Sequence, residues 1–393
     1  MVTKYVMITE VKNMKVLVGL SGGVDSAVAA YLLKEQGYEV AGCFMRNWDA
    51  MANNDYLGND TINNDICPQE QDYLDAKSVA ETLGIPLYRV DFIKEYWDDV
   101  FSNFLEEYKA GRTPNPDILC NKYIKFDAFF KHGQKLGYET FATGHYARVK
   151  DGLLYKAADR NKDQSYFLAQ VNRECFKHTL FPLEGIDKSE VRRIASEIGV
   201  SVADKKDSTG ICFIGERNFR QFLHNYLPAK DGNIVDVSSG EVVGRHMGVM
   251  YYTIGQRKGL GIGGDHGRWF VVGKDVTSNE LYVACQNEDK WLYSDSCIVS
   301  HVNLLDDFTM PLNCAAKFRY RQPDNPVSIE TLDDGQLMVR YPQLVKAVTP
   351  GQQAVFYLND QCIAGGVIEQ TFIEGENHND LVYKHIHGNQ GTL

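Results

Sequence analysis

The run Gly19-Leu20-Ser21-Gly22-Gly23-Val24-Asp25-Ser26 leaves this chain few folds to choose from. It is entered from the apolar, strand-like Val16-Leu17-Val18 and followed by a helical pattern from Ala27 to Gln36. A strand that gives way to a helix through two glycines lets backbone N–H groups close around phosphate oxygens, with the positive end of the helix aimed at the same anion. One helix terminus stabilises an anion by only ~0.3–1 kcal/mol, so several donors must act together. Ser21 and Ser26 add hydroxyls. The loop lacks the Lys-Ser/Thr pair of the G-x-x-x-x-G-K-[ST] motif, whose Lys reaches the β and γ phosphates, so γ-phosphoryl transfer is disfavoured. Asp25 suits a Mg²⁺ held against pyrophosphate, which leaves the α-phosphorus of ATP open to attack and AMP available for transfer. A bare Gly-Gly is otherwise a tight turn; the serines, the Asp and the strand-to-helix setting favour phosphate.

From Lys15 to about Thr143, apolar β-type runs alternate with amphipathic helical runs. Strands are expected at 16–20, 40–45, 87–90 and 140–143, and helices at 25–36, 70–83, 95–109 and 121–136. Such alternation predicts a parallel sheet covered by helices, with its nucleotide at the carboxyl ends of the strands. Residues 46–69 form an Asn/Asp-rich stretch, long for a connection inside a compact domain, and suit a lid, a partner-docking loop or a disordered segment. Further helices are expected at 188–198 and 216–227, and after Asp231 short alternating runs with Gly turns predict β structure.

The expected organisation is an N-terminal extension (1–14), an ATP-binding catalytic domain (15–215), a basic middle domain (216–290), a C-terminal β-barrel (291–372) and a flexible tail (373–393). No stretch approaches the ~18 apolar residues of a membrane span and no apolar signal core opens the chain, which predicts a cytoplasmic protein.

The formal charge of −11 disfavours a nucleic-acid partner until its distribution is considered. Residues 205–275 carry 10 Lys/Arg against 7 Asp/Glu, whereas the segments on either side are acidic. Arg217, Arg220, Arg245, Arg257, Lys258 and Arg268 interleave there with Phe219, Phe222, Tyr226, Tyr251, Tyr252 and Trp269. Basic groups for phosphates beside aromatics for unstacked bases suit RNA; a solvated face over an aromatic core has the same composition.

Nine cysteines, none in C-x-x-C spacing, argue against a disulfide framework, a zinc site or an iron–sulfur cluster. Cys120 follows the proline-stiffened Thr113-Pro114-Asn115-Pro116-Asp117-Ile118-Leu119 and precedes Lys122 and Lys125. A thiol at a helix N-terminus with lysines nearby has its thiolate favoured over the ordinary pKa of ~8.5. Asp117 suits either a general base or a helix cap. Cys212 lies in Asp207-Ser208-Thr209-Gly210-Ile211-Cys212-Phe213-Ile214-Gly215, where small residues would let a second macromolecule reach sulfur. Burial is the alternative for each of these two, and the expectation for the other seven.

GLSGGVDS at 19–26, NPDILCNKYIKF at 115–126, ATGHYAR at 142–148, KDQSYFL at 162–168, STGICFIGERNF at 208–219, TIGQRKGLGIGG at 253–264 and RYRQ at 319–322 together resemble the bacterial tRNA-specific 2-thiouridylase family. The resemblance runs from about Lys15 to Glu369 and implies an adenine nucleotide alpha hydrolase-like pyrophosphate-loop fold. It implies ATP at Gly19, Leu20, Ser21, Gly22, Gly23, Val24, Asp25 and Ser26, with Met45 and Gly144 completing the adenosine pocket. The C2 oxygen of the wobble uridine of tRNAs for Lys, Glu and Gln would be adenylated, with the base received near Asn115, Pro116 and Asp117. His145, Lys162, Asp163, Gln164, Arg319, Tyr320 and Gln352 match tRNA-contacting positions. Cys212 matches the acceptor of a persulfide delivered by a cysteine desulfurase or a relay protein. Cys120 matches the nucleophile that releases the sulfur or resolves it as a Cys120–Cys212 disulfide, for which the two must approach across 92 residues of sequence. Two other readings remain open from the residues alone: a pyrophosphate-loop ligase acting on a small substrate, and an ATP-binding RNA adaptor without chemistry.

Overall fold

The computed structural model describes residues 14–207, 210–211, 214–215, 217–263 and 267–388. Cys212, the extension before Met14 and the last five residues lie outside them.

The chain divides into two units. The first holds residues up to 100, 117–218 and 360–362. Its five-stranded sheet contains β1 (Lys15–Gly19), β2 (Glu39–Arg46), β3 (Leu87–Asp91), β4 (Thr140–Ala142) and Thr179–Leu180, in the order β3, β2, β1, β4, 179–180. Every pairing is parallel, as the alternating pattern predicts. Helix α1 (Val24–Glu35) buries Ala27, Val28, Ala29, Ala30 and Leu33, and its small side chains bring its backbone close to the sheet. Helix α2 (Pro68–Leu83) buries Ala76, Val79, Ala80 and Leu83, spaced three and four apart. Each buried Val or Leu contributes about 1.5–3 kcal/mol to this layer. Gly84 ends α2 in the left-handed conformation, at φ 61°.

The 46–69 stretch is folded through successive turns, with Asn47, Trp48, Asn53, Asp55 and Asn59 all buried. Its compactness comes from side-chain-to-backbone hydrogen bonds that hydropathy does not register. Trp48 stacks on Trp97 at 6.1 Å and meets Tyr96 edge-on.

Between Pro116 and Lys135 one helical run was expected to begin at residue 121. The backbone instead makes an α turn at Pro116–Leu119, a nine-residue π-helical stretch at Cys120–Ala128 and an α-helix at Phe129–Lys135. The helix starts earlier because Pro at a first helical position lacks only an N–H that would have no partner there.

The second unit comprises residues 101–116, 219–359 and 363 onward. A four-stranded sheet runs in the order 269–275, 280–285, 232–236, 242–246. Beside it, six strands close a barrel in the order 293–304, 337–346, 325–331, 312–317, 353–358, 361–373, with the last pairing back onto the first. Its interior holds Val299, Phe318, Ile329, Val339, Phe356 and Ile368. Two of these strands, 293–304 and 325–331, lack a clean alternating run, because Ser, Asp and Asn break the alternation of the first and Pro326 interrupts the second.

The expected flexible tail is corrected in part. His378–Gly388 is a helix whose Val382 and Ile386, four residues apart, pack with Val235, Val272 and Tyr282. Two apolar anchors within a polar run give too little periodicity to read.

Candidate functional site

β1 delivers the glycine loop to the N-terminus of α1, where Gly23 is the cap residue in extended conformation and Asp25 sits in the first turn. The Ser26 hydroxyl donates to Gly23 O at 3.0 Å and accepts from the Ser21 backbone N–H at 3.2 Å. These bonds close the loop on itself. Gly22 has φ 74°, and a Cβ there would lie 2.2 Å from Asp72 O. Gly144 approaches from the end of β4 so closely that a Cβ would lie 2.7 Å from Ser26 N. Met45 completes the wall, its Cε 3.3 Å from where a Gly19 Cβ would be. The expected phosphate-loop and adenosine-pocket residues are thus assembled in one place. Gly22 and Gly144 let backbone pack directly on Asp72 and Ser26, which holds the loop in a compact turn that fits a nucleotide phosphate.

Asp25 is arranged differently from the expected metal ligand. Lys188 Nζ lies 2.7 and 2.8 Å from its two oxygens, and the Tyr146 hydroxyl donates to it at 2.8 Å. An ammonium therefore stands where the cation was expected, and Asp25 as arranged does not fit a metal ligand. Among the described residues no group of three or more His, Cys, Asp or Glu converges on one point. Burial, reinforced by the charge of Asp25, keeps the Tyr146 phenol protonated as the donor.

Lys188 also reaches Asp207 at 2.7 Å, where Lys162 and Arg192 converge at 2.8 and 3.0 Å. Burial pushes the Asp207 carboxyl up, but hydrogen bonds from Lys162 and Lys188 outweigh it and hold it down at about 2. Beneath the loop, Lys205 donates to Gly22 O at 2.9 Å and to Asp72 at 2.8 Å. Tyr146 lies inside ATGHYAR and Asp207 opens the Cys212 segment, whereas nothing in the sequence marks Lys188, Asp72 or Lys205 for this site.

Of the residues matched to tRNA contacts in this unit, Lys162, Gln164 and Asp117 are partly exposed, the Lys162 side chain to 40%. Asp163 is buried and accepts from Ala157 N, Ser165 N and Ser165 Oγ. Gln164 clamps Tyr146 through its side chain at 2.9 Å and its backbone N–H at 2.7 Å. His145 is buried near Phe126 and Phe181, with Nδ1 2.8 Å from Thr143 Oγ1. Burial, then the charge of Lys125, holds its pKa well below the usual value. His145 therefore stays neutral in the fold and protonates in the unfolded chain, so its contribution to stability is present above ~6.5 and lost as pH falls below it. The expected result is a His145 imidazole NMR signal that does not titrate between pH 8 and 6; a midpoint near 6.5 would contradict it.

In the second unit, Gln352 Nε2 donates to Thr113 O at 2.6 Å and Thr113 N donates to Pro350 O at 3.0 Å. Arg319 donates to Ile254 O and Thr349 Oγ1, both at 2.7 Å. Three parts of the proposed tRNA set, the segment entering Asn115-Pro116, Arg319 and Gln352, are thereby gathered around the 349–352 turn; Tyr320 follows Arg319 in the chain.

Family models match the chain in three consecutive parts: a tRNA methyl transferase HUP domain over 14–216, a tRNA methyl transferase PRC-barrel domain over 220–285, and an aminomethyltransferase beta-barrel domain over 294–368. A tRNA-specific 2-thiouridylase MnmA of Mycoplasmopsis synoviae is 57% identical over 369 residues, covering 94% of this chain and 98% of that protein. One from Mycoplasma capricolum is 56% identical over 370 residues, covering 91% and 99%. The chain belongs to the MnmA tRNA-specific 2-thiouridylase family. Among solved structures, a 4-thiouridine synthetase in complex with RNA and ATP aligns over 52% of this chain and 46% of that one, with 16% identity and a TM-score of 0.31.

Thiols matter most in a thiouridylase, and here they fall into distinct environments. Cys120 is completely buried, one turn inside its helical run rather than at the N-terminus, where Asp117 sits instead. The electrostatic help expected for Cys120 from a helix end therefore falls on the preceding turn. Burial raises the Cys43, Cys297 and Cys314 thiols to about 12 and Cys175 to about 11. Cys362 is buried and raised further. Cys67 corrects the expectation of burial: it is exposed, at the cap position of α2 just before Pro68. Iodoacetamide at pH 8 is expected to alkylate Cys67 within minutes and to spare Cys43, Cys297 and Cys362 in the folded chain, as peptide mass spectrometry would show. Equal labelling of Cys67 and Cys297 would contradict these environments.

Proposed function

We propose that this chain thiolates C2 of the wobble uridine in tRNAs for Lys, Glu and Gln, consuming ATP and releasing AMP and pyrophosphate. The observation that carries the reading is identity above 55% over nearly the whole length to proteins named as tRNA-specific 2-thiouridylases.

The uridine C2 oxygen is a poor leaving group. Its attack on the α-phosphorus of ATP, bound at Gly19–Ser26, expels pyrophosphate and turns that oxygen into part of AMP. The loop amides, the α1 N-terminus and Lys188 would offset the charge that accumulates on pyrophosphate. Mg²⁺ carried in with ATP would add to this neutralisation.

A sulfane sulfur carried as a persulfide on Cys212, delivered by a cysteine desulfurase or relay protein, then supplies the sulfur that displaces AMP from C2. Cys120 either releases that sulfur by attacking the persulfide or resolves the adduct; both leave a Cys120–Cys212 disulfide that an external thiol reduces. Asp117 lies beside the base-receiving Asn115 and Pro116, in a helix first turn. Lys162, Arg319, Tyr320 and Gln352 would hold tRNA, with Asp163, Gln164 and His145 supporting from within.

The test is nucleoside mass spectrometry of unmodified tRNA incubated with the chain, ATP, Mg²⁺ and a persulfide donor. Appearance of 2-thiouridine together with tRNA-dependent pyrophosphate release is expected. Pyrophosphate release that ignores tRNA, with unchanged nucleosides, would return the chain to the small-substrate ligases.

A further inference from the structure

We propose that Asp55 and Arg217 are positioning residues for sulfur transfer, their buried ion pair tying the 46–69 stretch to the chain that flanks Cys212. The proposal rests on the sulfur-carrying role given to Cys212 above. Arg217 Nε donates to Asp55 Oδ2 at 3.0 Å, with side-chain exposures of 6% and 0%, which withdraws Arg217 from the basic residues expected to face RNA. The Trp48 indole N–H donates to the same oxygen at 3.1 Å, and the stacking of Trp48 on Trp97 holds that donor in place. Alongside, Asn218 N donates to Gly58 O at 3.2 Å, and Asn59 Nδ2 donates to Asp55 O at 2.9 Å.

Arg217 is five residues after Cys212, and Asp207 is five residues before it. The two flanks are therefore fixed by opposite charges: Asp207 by Lys162, Lys188 and Arg192, and Arg217 by Asp55. The first anchor shares Lys188 with Asp25 of the phosphate loop. The second is built on a stretch that begins immediately after Met45 of the adenosine pocket.

A buried ion pair contributes little more to stability than a well-packed apolar pair would, because desolvation offsets the attraction. Its advantage is direction. An apolar contact tolerates sliding, whereas a guanidinium and an indole N–H meeting one carboxylate oxygen specify a single placement. Exposed pairs such as Lys94–Asp98 do no comparable work, being screened by solvent. This assigns the 46–69 stretch a role that its length and composition leave open: an anchor for Arg217 and Asn218, a few residues after Cys212 in the sequence.

The experiment compares the two half-reactions in the full-length chain for Asp55→Asn, Arg217→Gln and the double variant. With tRNA-dependent pyrophosphate release staying within about twofold of the unsubstituted chain, 2-thiouridine formation should fall by about tenfold or more. The double variant should be no worse than the worse single one, as expected for partners in one interaction. Trp48→Phe removes the indole N–H along with part of the ring that stacks on Trp97 and keeps the charges, so it tests the same geometry should the charge variants fail to fold; a smaller loss confined to thiolation is expected. Parallel loss of both half-reactions, thiolation at the unsubstituted rate, or additive effects in the double variant would overturn the proposal. If the unsubstituted chain makes no 2-thiouridine, the functional reading falls and this one with it; if it is active and only the partition fails, this one falls alone.

Discussion

Replacing Cys212 by Ser is expected to abolish 2-thiouridine formation, by on the order of 10³-fold or more, while tRNA-dependent pyrophosphate release continues. The asymmetry follows from the two steps drawing on different atoms. Adenylation needs the phosphate loop, ATP and a base presented to the α-phosphorus; no sulfur takes part. Sulfur delivery needs a side chain able to hold a sulfane sulfur through an S–S bond, which a hydroxyl cannot do. Cys120→Ser is expected to lose thiolation as well, but as a block later in the cycle, leaving on Cys212 a persulfide if Cys120 releases the sulfur and a tRNA adduct if it resolves one, which mass spectrometry of the intact chain would distinguish. Complete burial of Cys120 gives a second expectation. In the chain without tRNA its alkylation should be slow, and if the base is received beside Asn115–Asp117, tRNA with ATP should change that rate. Full thiolation by Cys212→Ser would remove Cys212 from the chemistry.

Gly22→Ala is expected to abolish ATP binding. At φ 74° a non-glycine residue costs about 1–3 kcal/mol in strain alone. The larger obstacle is the 2.2 Å approach of the added Cβ to Asp72 O, a backbone atom of α2. That helix cannot easily retreat, because Ala76, Val79, Ala80 and Leu83 seat it in the core. The loop must move instead, taking its N–H groups off the phosphate. Gly144→Ala should act similarly, with its Cβ 2.7 Å from Ser26 N and 2.8 Å from Asp25 C. Gly137→Ala is the control: its φ is 84°, yet nothing lies within 4 Å of the new methyl group. It should lower the unfolding temperature without changing ATP affinity. Equilibrium binding of ATP to the three variants decides the matter, and Gly22→Ala binding as well as Gly137→Ala would remove the loop from the nucleotide site.

The fold class was legible because its signals are local. Val16–Leu20, Val40–Met45 and the Ala-rich start of α1 show their periods within a few residues, and glycines mark where helices stop. The barrel was legible as β structure, but strands such as 293–304, whose polar residues break the alternation, were not. Neither was the π-helical stretch that begins at Cys120, since single residues carry almost no preference between i→i+4 and i→i+5 bonding.

By itself the sequence determined the phosphate loop, because its geometry is made by consecutive residues: backbone torsions at Gly22 and Gly23, and serine hydroxyls three to five residues from their partners. Only the tertiary structure decided which charges surround that loop and which tie the 46–69 stretch to residue 217. Lys188 meets Asp25 across 163 residues and Arg217 meets Asp55 across 162. Ion pairs of that span form where packing of helices and turns brings two side chains to one point, and neither composition nor spacing records where that point falls.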